Sequence, residues 1–338
     1  MGDSQFSGTS ARAKNPSACS LTTRRIVSRP SHVVASHAFD ASVVAIETPL
    51  EIRAAAPPPP QWEHSSTGYS YLQTDRNHSA PLKSVRRHQA SPRDHRSAER
   101  AARDREALVK LEGIHHITAI TGDAPQNVRF YAGTLGLRLV KKSVNQDQPT
   151  VYHLFYADEE GGAGSDITFF EYPGAGRGRA GAGMVHRIVW RVGSGASIDF
   201  WESRFEGEGV LTKRENGSLF FSDPEGLNFE LRVVQTTDEP LMAKHPEIPE
   251  EHAILGFDGV YAYTDDVEAS RKLFEETLEF DPDGDRSWTV RGKQRGGFYT
   301  YDEAPLDPGI EGAGTVHHVA WGSPTDEHKE WRARVAEA

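Results

Sequence analysis

Residues Gly113-Ile-His-His-Ile-Thr-Ala-Ile-Thr-Gly-Asp123 return, 143 positions later, as Gly256-Phe-Asp-Gly-Val-Tyr-Ala-Tyr-Thr-Asp-Asp266. The same offset links Phe130 to Leu273, Thr134 to Thr277, Leu135 to Leu278 and Leu137 to Phe280. Each copy reads as a strand, a helix start carrying Asp, and an amphipathic helix that stops near Thr134–Leu137 or Thr277–Phe280. Such internal similarity is the strongest architectural signal a single sequence offers.

A second pair of repeats has an offset of 131. Gly183-Met-Val-His-Arg-Ile-Val-Trp190 matches Gly314-Thr-Val-His-His-Val-Ala-Trp321, and Trp201 and Trp331 mark the next helix in each. Four units therefore share one plan, over residues 112–172, 183–235, 255–302 and from 314 onward. Hairpin-like strands follow the helix: Val151–Tyr156 and Asp166–Glu171 in unit one, Ser218–Phe221 and Leu227–Val233 in unit two, the latter joined by the turn Asp223-Pro-Glu-Gly226. The predicted fold is α+β, built of repeated βαβββ modules, three complete and the fourth truncated. Paired modules curl their sheets around a cleft with helices outside. The expected division is an extension over 1–108, a first domain of modules one and two over 109–238, and a second of module three and the truncated module four over 239–338.

Composition separates the extension from the rest. The chain of 338 residues has a net charge of −11, yet residues 1–105 carry 15 Lys and Arg against 9 Asp and Glu, and the remainder 23 against 40. The basic, Ser- and Pro-rich part, with Pro57–Pro60 as a tract, lacks sustained periodicity and reads as a disordered extension. The acidic balance argues against nucleic acid as a partner. Cys19 is the only cysteine, which excludes a disulfide framework and a cysteine metal site and suits a reducing, cytoplasmic setting. No apolar run is long enough for a membrane span. A homo-oligomer stays open.

The chemistry-bearing residues are two His-His pairs, His115-His116 and His317-His318, each in the first strand of a module. Strand alternation predicts that one member of each pair faces the cleft, with Thr118 on the face of His116 and Ile117 on the face of His115. Neutral imidazole is a common metal ligand, and two histidines with one carboxylate suit Fe(II) oxygen chemistry. Trp190 and Trp321 read as sheet packing, and Lys141-Lys142 as a solvated edge.

The run Leu111-Glu-Gly-Ile-His-His-Ile-Thr118 through Phe130-Tyr131 and Leu135-Gly-Leu-Arg-Leu-Val-Lys-Lys-Ser-Val-Asn145, with Gly314-Thr-Val-His-His-Val-Ala-Trp321, resembles the two-domain ring-cleaving dioxygenases of the vicinal oxygen chelate superfamily, in the hydroquinone branch. The resemblance spans Leu111 to Ala338. It implies that His116 and His318 bind Fe(II), with Mn(II), Zn(II) or Ni(II) as alternatives, and that His115, Thr118 and His317 support substrate or ligands. It implies a small aromatic substrate and O2 as reactants. The third ligand of the branch is a Glu on the last strand of module four. By the 131-residue offset from Glu230 that position falls near 361, so the expectation is a centre short of one carboxylate. Two other readings remain open. One is a glyoxalase-like isomerase or lyase using His116, Glu171, His186 and Glu230. The other is a non-catalytic binder of small aromatics.

Overall fold

A computed structural model describes residues 110–145 and 148–338, together with the backbone of two short strands, 32–34 and 43–47. The strands are β1 (His32–Val34), β2 (Val43–Glu47), β3 (Ile114–Thr121), β4 (Arg138–Val144), β5 (Tyr152–Ala157), β6 (Asp166–Glu171), β7 (Val185–Val192), β8 (Thr212–Glu215), β9 (Ser218–Ser222), β10 (Asn228–Val233), β11 (Phe257–Thr264), β12 (Asp281–Pro282), β13 (Ser287–Arg291), β14 (Gly296–Glu303) and β15 (Val316–Gly322). The helices are α1 (Ala124–Val128), α2 (Gly195–Glu208), α3 (Glu268–Lys272) and α4 (His328–Ala336). Apart from β1 and β2, the sequence reading of 1–108 as an unstructured extension lies outside the described residues.

The repeats give repeated local structure. Asp123 Oδ1 accepts from Gln126 N at 2.9 Å to start α1, and Asp266 Oδ1 accepts from Ala269 N at 3.2 Å to start α3. Both helices then widen into one π-helical turn, Arg129–Thr134 and Leu273–Thr277. In three modules the first strand pairs in parallel with the last: β3 with β6, β7 with β10, β11 with β14. A parallel neighbour requires a crossover, and the module's helix makes it.

The modules combine across the chain rather than along it. Modules one and four share a seven-stranded sheet, ordered β1-β2-β15-β3-β6-β5-β4. Modules two and three share an eight-stranded sheet, ordered β12-β13-β14-β11-β7-β10-β9-β8. Each sheet is joined at its centre by an antiparallel pair of first strands, β15 with β3 and β11 with β7. Between the sheets lies one continuous apolar core in which Trp190, Trp201, Trp288, Trp321 and Trp331 are fully buried. The linkers between modules also pair: Arg179 N donates to Ile310 O at 2.7 Å and Ile310 N returns the bond at 2.8 Å. A side chain at Gly181 would put its Cβ 2.2 Å from Gly309 N, so glycine is required for that approach. No Lys–Ser/Thr phosphate loop is involved.

The outer edge of β15 is paired with β2, antiparallel, over five residues with Glu47 opposite His318. At the far end of the sheet, β4 forms an edge whose residues, Lys141 and Lys142 included, are largely exposed. No helix among the described residues is long and apolar enough to cross a membrane.

Candidate metal centre

Both His-His pairs sit on β-bulges of the β3·β15 seam. Ile114 pairs with Trp321 and His116 with Ala320, so His115 is the extra residue on β3. Val316 pairs with Ala119 and His318 with Thr118, so His317 is the extra residue on β15. A bulge suspends strict alternation at the inserted residue. The second histidine of each pair therefore stays beside the first instead of crossing to the opposite face. His115 Nδ1 lies 3.1 Å from His116 Nδ1, and His317 Nδ1 lies 2.9 Å from His318 Nδ1. His317 also meets the ring of Phe170 edge-on, with centroids 5.3 Å apart.

Across the seam, His116 Nε2 and His318 Nε2 lie 3.1 Å apart. Burial, with neighbouring imidazoles His115 and His153, pushes the His116 pKa down to about 3; burial and the imidazoles of His116, His317 and His153 hold His318 well below its ordinary value. Both rings are therefore neutral near pH 7, the form that binds metals. Thr118 Oγ1 stands 3.1 Å from His318 Nε2.

The donor set fits a divalent metal at two adjacent positions. Metal–nitrogen bonds of about 2.1 Å at right angles separate the nitrogens by about 3.0 Å, whereas a tetrahedral angle needs about 3.4 Å. Among the described residues no third His, Cys, Asp or Glu completes a metal-holding group around the pair.

The eight-stranded sheet repeats the scaffold without the donors. Its seam has bulges at Asp258 and His186, which are the counterparts of His115 and His317 at the two offsets. Gly259 then stands where His116 does, and Arg187 where His318 does. The Phe298 ring covers Gly259 so closely that a Cβ there would lie 2.3 Å from it. Arg187 stacks 3.8 Å over Tyr261 and pairs with buried Glu230 at 3.3 Å, while Arg232 Nε donates to the same carboxylate at 2.9 Å. A guanidinium supplies the positive charge that a metal would supply opposite this carboxylate.

This geometry corrects the glyoxalase-like alternative. His116 and Glu171 are in one sheet and His186 and Glu230 in the other. Glu171 pairs in register with Thr121, five residues beyond His116, and its carboxylate accepts from Ala124 N at the start of α1. His186 is occupied by Asp302 at 3.0 Å and by the stacked Tyr263 ring at 3.8 Å. A cavity of about 590 Å³, lined by Arg129, Arg177 and Asp223 among others, contains none of the paired histidines.

Sequence reading missed His153 and Thr168. His153 Nε2 lies 2.8 Å from Thr168 Oγ1, which lies 2.8 Å from Thr118 Oγ1. The available signal was the alternation in Val151–Tyr156, which sets His153 and Phe155 on one face, but nothing local ties that face to the histidine pairs.

Comparisons with known proteins agree with this architecture. Residues 113–231 match the family model of the Glyoxalase/Bleomycin resistance protein/Dioxygenase superfamily. The chain is 35% identical to "Putative ring-cleaving dioxygenase MhqE" of Bacillus subtilis, over 68% of this chain and 77% of the relative. It is 31% identical to the chlorohydroquinone/hydroquinone 1,2-dioxygenase of Sphingobium indicum, over 63% of this chain and 70% of the relative. A crystal structure of a Bacillus subtilis protein described as a putative dioxygenase superposes with a TM-score of 0.60 at 34% identity, covering 68% of this chain and 76% of that one. With its duplicated modules, paired first strands and relatives named as ring-cleaving enzymes, the chain belongs to the glyoxalase/bleomycin resistance/dioxygenase superfamily, the vicinal oxygen chelate proteins.

Proposed function

We propose that this chain is a hydroquinone- or catechol-type ring-cleaving dioxygenase whose single metal, Fe(II), is held by His116 and His318. The observation that carries the reading is the 3.1 Å approach of two half-buried, neutral imidazole Nε2 atoms from strands 202 residues apart in the chain. When bound, the metal supplies a Lewis-acidic centre with open positions for a substrate hydroxyl and O2.

The chain's own residues prepare that edge. A ligating histidine usually donates its second ring N–H to a fixed partner, which sets its tautomer. Here His115 and His317 provide those partners through the Nδ1–Nδ1 contacts at 3.1 and 2.9 Å. With the protons of His116 and His318 on Nδ1, both Nε2 lone pairs face the same point. Thr118 Oγ1 lies beside that point, positioned to accept from a substrate hydroxyl. Phe155 and Phe170, flanking His153, offer apolar surface for an aromatic ring. By the family resemblance, the third ligand would be a Glu on the last strand of module four. A reducing, cytoplasmic setting suits a ferrous centre, in keeping with Cys19 as the single cysteine.

The test is anaerobic Fe(II) loading followed by oxygen uptake with hydroquinone and with catechol, in the presence and absence of acetate. Acetate offers an exogenous carboxylate for the third position. One iron per chain, lost in both His116→Ala and His318→Ala, together with uptake, supports the reading. Iron-loaded protein that consumes no oxygen under either condition overturns it.

A further inference from the structure

A line of four side chains crosses the seven-stranded sheet away from the paired histidines. His318 Nε2 lies 3.1 Å from Thr118 Oγ1, Thr118 Oγ1 lies 2.8 Å from Thr168 Oγ1, and Thr168 Oγ1 lies 2.8 Å from His153 Nε2. The four residues come from four successive strands, β15, β3, β6 and β5. Register aligns them: Thr118 is opposite His318, and Thr168 is beside Thr118. Both threonines are buried, at 0% and 1% exposure, so each hydroxyl depends on this line for its partners.

His153 has a defined environment. Its ring lies between Phe155 at 4.0 Å and Phe170 at 4.4 Å. The titratable groups acting on it are Lys141 and His317, while it acts in turn on His116 and His318. Burial first, then the Lys141 charge, lowers its pKa to about 4, so it is neutral at pH 7 with one ring nitrogen available as an acceptor. Its cross-strand neighbour is Ser143 on the exposed edge strand β4, which puts solvent within reach of this end of the line.

We propose that His153 is the outer terminus of a proton relay that carries the proton of a substrate ring hydroxyl away from the His116/His318 edge through Thr118 and Thr168. The inference rests on the metal reading above and extends it. The substrate O–H bond breaks and its proton goes to Thr118 Oγ1. The Thr118 hydroxyl proton passes to Thr168 Oγ1, and the Thr168 proton to His153 Nε2. The ring oxygen keeps the electron pair of the broken O–H bond, and the His153 imidazolium releases a proton to water. One proton moves, nothing is oxidised or reduced, and the hydrogen bonds of the line reverse direction. His153 acts through Thr168 and Thr118 and is a positioning residue.

The experiment reads proton loss directly. Co(II)-loaded protein is mixed with 4-nitrocatechol, and the rise of its ionised absorption band is followed by stopped flow. His153→Gln retains a group that can hold the Thr168 hydroxyl but cannot take up the proton, and Thr168→Val interrupts the line with an isosteric methyl. Each variant should bind Co(II) within about twofold of wild type and ionise the phenol about 100-fold more slowly. The double variant should be no slower than either single one, because both cut one path. Ionisation at the wild-type rate in His153→Gln overturns the relay while leaving the metal reading intact. If wild type takes up no Co(II), or His116→Ala binds it equally well, the metal reading fails and the relay falls with it.

Discussion

His116 and His318 are 202 residues apart in the chain, yet their Nε2 atoms meet at 3.1 Å across the β3·β15 seam that joins modules one and four. The contact exists because module four returns to module one. His115 and His317, on facing bulges, then turn the two rings toward a common point. Removing either ring leaves a single nitrogen donor at this point. His116→Ala and His318→Ala should each lower Co(II) affinity by at least about 100-fold, a loss in keeping with that of one ligand or its support, as read by calorimetry.

The same histidines make the metal-free fold sensitive to acid. His116 falls to about 3 and His153 to about 4, with His317 and His318 also lowered, so the folded state binds these protons less readily than the unfolded chain at about 6.5. Their stabilising contribution is complete above pH 6.5 and is lost as pH falls from there toward 3–4. Asp166, raised to about 7, and Asp223, raised to about 6, act in the opposite sense over part of that range. Four histidines outweigh two carboxyls, and the half-buried His116 and His318 rings alone each contribute a slope of about 1.4 kcal/mol per pH unit at most. Urea midpoints of the metal-free protein should fall steadily from pH 6.5 to 4.5, and a flat profile would count against neutral buried rings.

In the eight-stranded sheet, Glu230 is 3% exposed and held by Arg187 and Arg232. Arg187→Ala should destabilise the protein by about 2–3 kcal/mol, because a buried carboxylate loses one of two cations. Arg187→Met combined with Glu230→Gln should recover much of that loss, since the desolvated charges go together. Chemical denaturation of Arg187→Met, Glu230→Gln and their double variant measures the coupling.

Gly259 and Phe298 occupy one space. A Gly259→Ala methyl would stand 2.3 Å from the Phe298 ring, which should cost about 1–3 kcal/mol. Adding Phe298→Ala should relieve that strain and recover part of the stability. The thermal midpoints of the single and double variants decide whether the ring or the backbone sets the limit.

Strand β2 covers the edge of β15. Deleting residues 1–50 would leave that edge unpaired, and an exposed edge invites association. Light scattering at rising concentration should show self-association in the shortened protein and not in the full chain. Equal behaviour of the two would mean that β2 does not protect this edge.

The sequence determined the module plan. Offsets of 143 and 131 are properties of the chain alone, and alternation with Asp123 and Asp266 marked the first strands and the starts of α1 and α3. They also put the two His-His pairs on first strands of related modules, and the family resemblance implied His116 and His318 within them. Pairing between modules was decided by the tertiary structure, because all first strands look alike locally and only side-chain packing selects module four for module one. The bulges at His115 and His317 were equally hidden, since an inserted residue is defined against a partner strand that sequence does not name. His153 and Thr168 became part of the site for the same reason: β5 and β6 are ordinary half-buried strands until register sets their hydroxyl and ring beside Thr118.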